Sequence, residues 1–172
     1  CRRLSVHGWR ENAWFIARRR AREPAAAVRR LRRASGAGEA RMKVALGLGC
    51  DRGPPAATLA AALAEALAAC GATLADVGAV ASIDLKADEV ALAELAARYG
   101  WTIRYYTAAE LAEVEVPNPS ETVRRYTGTP SVSEAAALRV AAVDKKQLLV
   151  EKHKKRGPDG RNATVSIARI SP

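Results

Sequence analysis

Histidine is almost missing from this chain. There are two, His7 and His153, so a metal site built only of histidines is excluded. Cysteine is scarce as well. Cys1, Cys50 and Cys70 are odd in number, widely spaced and free of any CxxC pair, which argues against a disulfide framework and against a zinc site. No apolar run approaches the ~20 residues that a membrane-spanning helix needs. The first segment also lacks the apolar stretch of ~7–15 residues that marks a secretory signal. The expected compartment is therefore the reducing cytoplasm. Aromatic residues make up only 5% of the chain, and two of the three Trp and the only Phe precede Met42, the sole methionine.

Alanine, by contrast, fills 38 of the 172 positions, a small side chain suited to tightly packed helices. The length fits one domain with little left over. Positive charge is also abundant, a net +10, but it is unevenly placed. Residues 1–41 hold 12 Arg and 3 Glu and contribute +9, whereas residues 42–172 contribute +1. The basic character belongs to the leader, and the rest is close to neutral. We therefore divide the chain into a basic Arg-rich extension, 1–41, and a domain, 42–172. For the extension three readings stay open: translation from a misplaced start or neighbouring frame, an arm or linker of a longer polypeptide, and a nucleic-acid or membrane-surface arm. Short amphipathic helices are expected in it near 11–22 and 24–34.

From Met42 onward, strand and helix patterns alternate. Strands are expected at 43–49, 77–83, 101–106, 147–152 and 163–170, and helices at 55–70, 87–99, 108–114, 120–126 and from Ser131 or Ser133 to about 142. Gly71 and Gly100 sit where helices should end. The second helix has Val90, Leu92, Leu95 and Ala96 as its apolar positions. This order implies βαβ units and a three-layer α/β/α fold with a mostly parallel sheet. The last two strands, joined by Gly157-Pro158-Asp159-Gly160, are expected to form an antiparallel hairpin.

In such sheets ligands bind beyond the carboxyl ends of the strands, where helix amino termini converge. Three segments meet that condition. The first is Gly47-Leu48-Gly49-Cys50-Asp51-Arg52-Gly53, which allows a nucleotide site, a tight structural bend, or a turn offering Arg52 and backbone N–H groups to another anion. Arg52 near Cys50 also offers a way to lower the thiol's pKa, against the commoner buried, inert cysteine. The second is Ala81-Ser82-Ile83-Asp84-Leu85-Lys86-Ala87-Asp88-Glu89. Here Asp84 suits an N-cap and Asp88 and Glu89 suit the positive end of the helix dipole, but Lys86 opposes that dipole and points to an anionic partner or to plain exposure. The third joins Pro117-Asn118-Pro119-Ser120 with Thr129 to Leu138, where hydroxyls and free N–H groups act as caps or face a ligand. Residues 145–161 carry 7 basic and 2 acidic groups and form the domain's positive patch.

GLGCDRG at the first strand, ASIDLKADE at the second, PNPSETVRRYTGTPSVSEAAAL, and LLVEKHK before TVSIARI resemble the CobE/CbiG C-terminal domain family of cobalamin biosynthesis. The match runs in order from about residue 42 to 170. It implies a three-layer α/β/α domain that handles a corrin precursor. Two-domain members are similar to a cobalt-precorrin-5A hydrolase, which opens the ring-A lactone and releases acetaldehyde. Single-domain members imply precorrin binding or transfer, as carrier or accessory factor, and residues 1–41 are expected to be too short and too polar to supply the hydrolase's other domain. One departure stands out: family members place a basic residue directly after the turn cysteine, where this chain has Asp51 and then Arg52.

The resemblance implies a broad ligand fringed with carboxylates. Arg52, Lys86 and Lys152 are the candidate cations, and Ser82, Ser131 and Glu134 the candidate hydrogen-bonding groups, with Gly49, Cys50 and Gly53 in the turn beside them. For lactone hydrolysis, Asp84 or Glu134 is the candidate general base. No cofactor or protein-held metal is expected, since any cobalt arrives inside the precorrin. Corrin-pathway enzymes such as methyltransferases are the expected protein partners. Membrane is not expected, and nucleic acid is the outlying alternative.

Overall fold

The computed structural model describes residues 41–171. The short helices expected at 11–22 and 24–34 lie outside the described residues.

Three parallel strands form one half of the sheet: β1 (Val44–Cys50), β2 (Val77–Ile83) and β3 (Ile103–Tyr106). The other half is the hairpin of β4 (Leu148–Arg156) and β5 (Asn162–Arg169). The strand order is β3-β2-β1-β5-β4, with β5 antiparallel to both neighbours. Four of the five strands therefore point the same way, and only β5 runs against them. The carboxyl ends of β1, β2, β3 and β4 share one edge with the hairpin tip.

Helix α1 (Ala56–Ala69) buries Leu59, Ala62, Leu63, Ala66 and Leu67, a stripe at spacings of three and four. Gly71 ends it at φ 69°, donating to Ala68 O, while Ala72 N–H returns to Leu67 O. Helix α2 (Val90–Tyr99) buries Ala91, Leu92 and Leu95 and stops at left-handed Gly100. It starts three residues later than the sequence suggests, because Asp84–Lys86 closes a separate 3-10 turn first. Val90 accordingly points outward, 65% exposed, and Ala91 takes the inward position. Both helices lie on one face of the sheet, over Leu46, Leu48, Val80, Val165 and Ile167.

The opposite face carries α3 (Ala108–Ala112) and α5 (Val132–Ala141), with α4 (Glu121–Thr127) between them in the chain. Helix α5 is buried continuously from Ser133 to Leu138. It lies so close to β1 that a Cβ built on Gly47 would meet Ser133 O at 1.8 Å and Ala137 N at 2.6 Å. Gly47 is thus a packing glycine: backbone meets backbone, and no side chain fits between them. The small residues Ala135, Ala136 and Ala137 make the same approach possible from the helix side.

Strand β4 continues four residues past its expected end at 152, through the basic run to Arg156. Alternation along the strand puts Lys152 and His153 on opposite faces, and an irregularity between Val150 and His153 interrupts the pairing beside them. Lys152 reaches α5, while His153 reaches Glu65 on α1.

Candidate functional site

Two groups of polar side chains gather at the carboxyl edge, one on each face of the sheet. On the α1/α2 face, the turn after β1 is held by its neighbours. Arg52 Nη1 donates to Asp88 Oδ1 at 2.5 Å, and Nη2 donates to Leu85 O at 2.7 Å. The Gly53 amide donates to both carboxylate oxygens of Glu89 at 3.2 Å, and Glu89 is almost wholly buried. Asp51 accepts from the Asn162 amide at 2.7 Å and from its side chain at 2.8 Å, pinning the hairpin tip to β1.

Asp84 caps nothing; it is exposed and opens the 3-10 turn, and the acid placed before α2 is Glu89. Arg52 is not a free cation: the Asp88 carboxylate raises its pKa and is itself held below the ordinary carboxylate range by the same bond. The Cys50 thiol is pushed up to about 11 by burial, with the Lys86 charge the largest effect opposing it, so it is a protonated thiol rather than an activated one. Ser82 is fully buried and donates to Leu48 O at 2.8 Å, tying β2 to β1. Gly49, unlike Gly47, has ordinary space around it, with Val132 the nearest neighbour at 3.8 Å. Lys86 is half-buried beside Cys50.

The second group forms a cup at the amino end of α5. Ser131 and Glu134 stand at the N-cap and third positions, the spacing of a reciprocal capping box. Thr107 and Glu110, at the same spacing before α3, do close such a box: Thr107 N–H donates to Glu110 at 2.8 Å, and Glu110 N–H donates to the threonine hydroxyl at 3.2 Å. At α5 the box is open. Ser131 accepts no cap bond, and its buried hydroxyl has no partner. Glu134 turns away to Asn118, whose amide donates to Oε1 at 2.8 Å, while Oε2 is left without a hydrogen bond, 3.7 Å from Lys152 Nζ.

Other groups complete the cup. The Asn118 amide also donates to Glu151 Oε2 at 2.7 Å, and Lys152 Nζ donates to Asn118 O at 2.9 Å. Ser166 on β5 donates to Glu151 O and accepts from the Ser133 hydroxyl at 3.0 Å. The buried Thr129 hydroxyl, like that of Ser131, has no partner. Buried polar atoms left unpaired cost roughly 1–3 kcal/mol each, so three of them around one helix end mark a place built for something other than packing.

Of the predicted residues, the structure brings Ser131, Glu134 and Lys152 together. Gly49, Cys50, Arg52, Gly53, Ser82, Asp84 and Lys86 belong to the turns around β1 and β2 instead. The sequence reading held Asn118 and Thr129 in its third segment without singling them out, and it missed Glu151, which only its place in the basic strand could have signalled. The positive patch is also less free than its composition suggests. His153 and Lys155 both meet Glu65, Arg161 meets Asp159 and Lys145 meets Glu115. At the far end of α5, Val114, Leu138, Arg139, Val143 and Lys145 line an open pocket away from these polar groups. Among the described residues no cluster of three or more His, Cys, Asp or Glu could hold a metal ion, and no helix is long and apolar enough to cross a membrane.

An α/β/α domain with a polar cup at the carboxyl edge of its sheet is a ligand-handling architecture. The family described as Cobalamin synthesis G C-terminus matches residues 44–168, and the chain belongs to that family, one of cobalamin biosynthesis. A protein of Priestia megaterium named "Cobalt-precorrin-5A hydrolase" is 39% identical over 127 residues, covering 74% of this chain but only 32% of that protein. The chain therefore spans about a third of the hydrolase it matches. "Protein CobE" of Sinorhizobium sp is 42% identical over 109 residues, 62% of this chain and 70% of that protein. Among solved structures, CobE from the cobalamin pathway aligns with a TM-score of 0.65 at 36% identity, over 76% of this chain and 92% of its own. The cobalamin biosynthesis protein chiG of Agrobacterium tumefaciens str. C58 aligns with a TM-score of 0.54 at 31% identity, over 75% and 99%.

Proposed function

We propose that this protein binds a precorrin or cobalt-precorrin in the cytoplasm, as a carrier or accessory factor of cobalamin biosynthesis. The observation that carries this reading is the open capping box. Ser131 and Glu134 have the spacing to satisfy each other and do not, and Lys152 stands at the mouth beside them. A corrin precursor is a broad ring fringed with carboxylates, and a lysine beside a helix amino terminus suits one of them. Lys86 is the second proposed cation, on the other side of β1. Arg52 acts through the loop, holding the turn with Asp88. Cobalt, where present, arrives in the ligand. Handing that ligand to a corrin-pathway enzyme such as a methyltransferase completes the carrier role.

A second reading is favoured by one atom. Glu134 Oε2 has no hydrogen bond, and it lies at a helix amino terminus whose N–H groups suit a developing oxyanion. In lactone opening, Glu134 would take a proton from water as the water oxygen bonds to the lactone carbonyl carbon. The ring C–O bond then breaks, and the freed alkoxide collapses to acetaldehyde as its carbon–carbon bond to the macrocycle breaks, the macrocycle keeping that electron pair and taking the proton back from Glu134. Glu134 is preferred to the exposed Asp84 as this base because of that placement. Incubating the full chain with cobalt-precorrin-5A separates the two readings. A saturable absorbance shift without acetaldehyde supports the carrier, acetaldehyde supports the hydrolase, and no shift overturns both.

A further inference from the structure

Helix α4 and the turns on either side of it hold an unusual stretch of chain. Not one residue from 117 to 128 is buried, although the residues that follow, 129–131, are. The stretch crosses the carboxyl edge. At its start Asn118 meets Lys152 of β4 and Glu134 of α5, and at its end Gly128 lies against Ala108, just past β3. Its own attachments are few. Ser120 N–H donates to Pro130 O at 2.8 Å, Thr129 N–H donates to the Thr127 hydroxyl at 3.5 Å, and the ties to other elements converge on Asn118. A segment without buried apolar contacts opens at low cost compared with the core.

What the stretch covers is the cup. Asn118 is exposed, whereas Glu134, directly behind it, is 0% exposed and Ser131 is 1% exposed. Both Asn118 amide contacts are carboxylates, so only its NH2 end can face them, and one side chain closes the mouth against two acids. Ser131, Thr129 and Glu134 each keep a buried, unpaired oxygen at this helix end, and Glu134 touches Asn118 directly. Pro117 and Pro119 stiffen the Asn118 end, while Gly128, at φ 78°, supplies a turn point at the other. On its outer surface α4 carries Arg124, Arg125 and Tyr126, the last 82% exposed.

We propose that residues 117–128 are a lid over the amino end of α5, latched by Asn118, and that it lifts to admit the ligand's polar edge to Ser131 and Glu134. The proposal deepens the binding function argued above and rests on it. Entry requires the Asn118 amide to leave Glu134 and Glu151, and the ligand's hydrogen bonds replace those it gave up. Tyr126 and Arg125 travel with the lid, offering a flat aromatic face and a guanidinium to a carboxylate-fringed ring.

Hydrogen–deuterium exchange on the full, ligand-free chain tests the lid directly. Asn118→Ala should raise amide exchange in 117–131 about tenfold, as expected for losing charge-assisted bonds, with β1 and β5 unchanged. Glu151→Ala should do the same more weakly, and Glu151→Gln, which keeps an acceptor oxygen, should behave as wild type. No local change, or a uniform rise across the domain, would overturn the lid. Stopped-flow mixing with cobalt-precorrin-5A should show faster association for Asn118→Ala, and an unchanged rate would contradict the gating role. If wild type does not bind at all, the binding function fails, while the lid is still decided by exchange in the free protein.

Discussion

Ser131 and Glu134 occupy the two ends of a capping box that does not close, and the carboxylate that should close it is held by Asn118 instead. The matched box at Thr107 and Glu110 shows that the chain closes such boxes where nothing else is asked of them. The contrast yields a stability test. Thr107→Ala should cost about 1 kcal/mol in urea unfolding, the usual value of a lost cap. Ser131→Ala removes a buried, unpaired hydroxyl and should be neutral or slightly stabilising. Equal losses would mean that the α5 box closes in solution.

Gly47 and Gly49 look alike in the sequence and differ in the fold. Gly47→Ala forces a methyl group into the α5 backbone and should destabilise by about 1–3 kcal/mol or more, or prevent folding. Gly49→Ala meets only ordinary contacts and should fold as wild type. Chemical denaturation of the two variants side by side checks this.

The clamp between α1 and β4 predicts an acid limb. Bonds from Lys155 and His153 hold the Glu65 pKa below its ordinary value of 4.5. The folded protein therefore binds this proton less readily than the unfolded chain, and Glu65 contributes stability at neutral pH that is lost as pH falls below about 4.5 through the folded pKa. Glu65→Gln should lower Tm at pH 7 and approach the wild-type curve near pH 3. A constant gap across that range would contradict the assignment.

Cys50 should be a poor nucleophile. In a Cys1→Ser, Cys70→Ser background, alkylation by iodoacetamide should be slow at pH 8 and accelerate toward the pH of about 11 at which burial places the thiol. Cys50→Ala should leave precorrin binding unchanged. Rapid alkylation at neutral pH would restore an activated thiol.

The alternation of strands and helices was legible in the sequence because its signals are local: the leucine and alanine stripe of α1, the terminal glycines at 71 and 100, the turn at 157–160. The placement of β5 between β1 and β4 was not, since pairing residues some 120 positions apart leaves no local trace. The same limit explains the site. Ser131, Glu134 and Lys152 were found as residue types at a helix start and in a basic strand. Asn118 and Glu151 join them only through the β4 irregularity and the crossing of 117–128. Arg52 misled for the opposite reason. Its partner Asp88 lies beyond β2, so a cation that looked free is satisfied within the protein.

The central claim is that the cup at α5 and Lys152 at its mouth bind a precorrin. An absorbance titration of the full chain with cobalt-precorrin-5A, beside Lys152→Ala and Lys152→Glu and with acetaldehyde assayed in the same samples, tests this binding. Wild type should show a saturable shift without acetaldehyde, and both variants should bind about tenfold or more weakly. Variants that bind as tightly as wild type would contradict it.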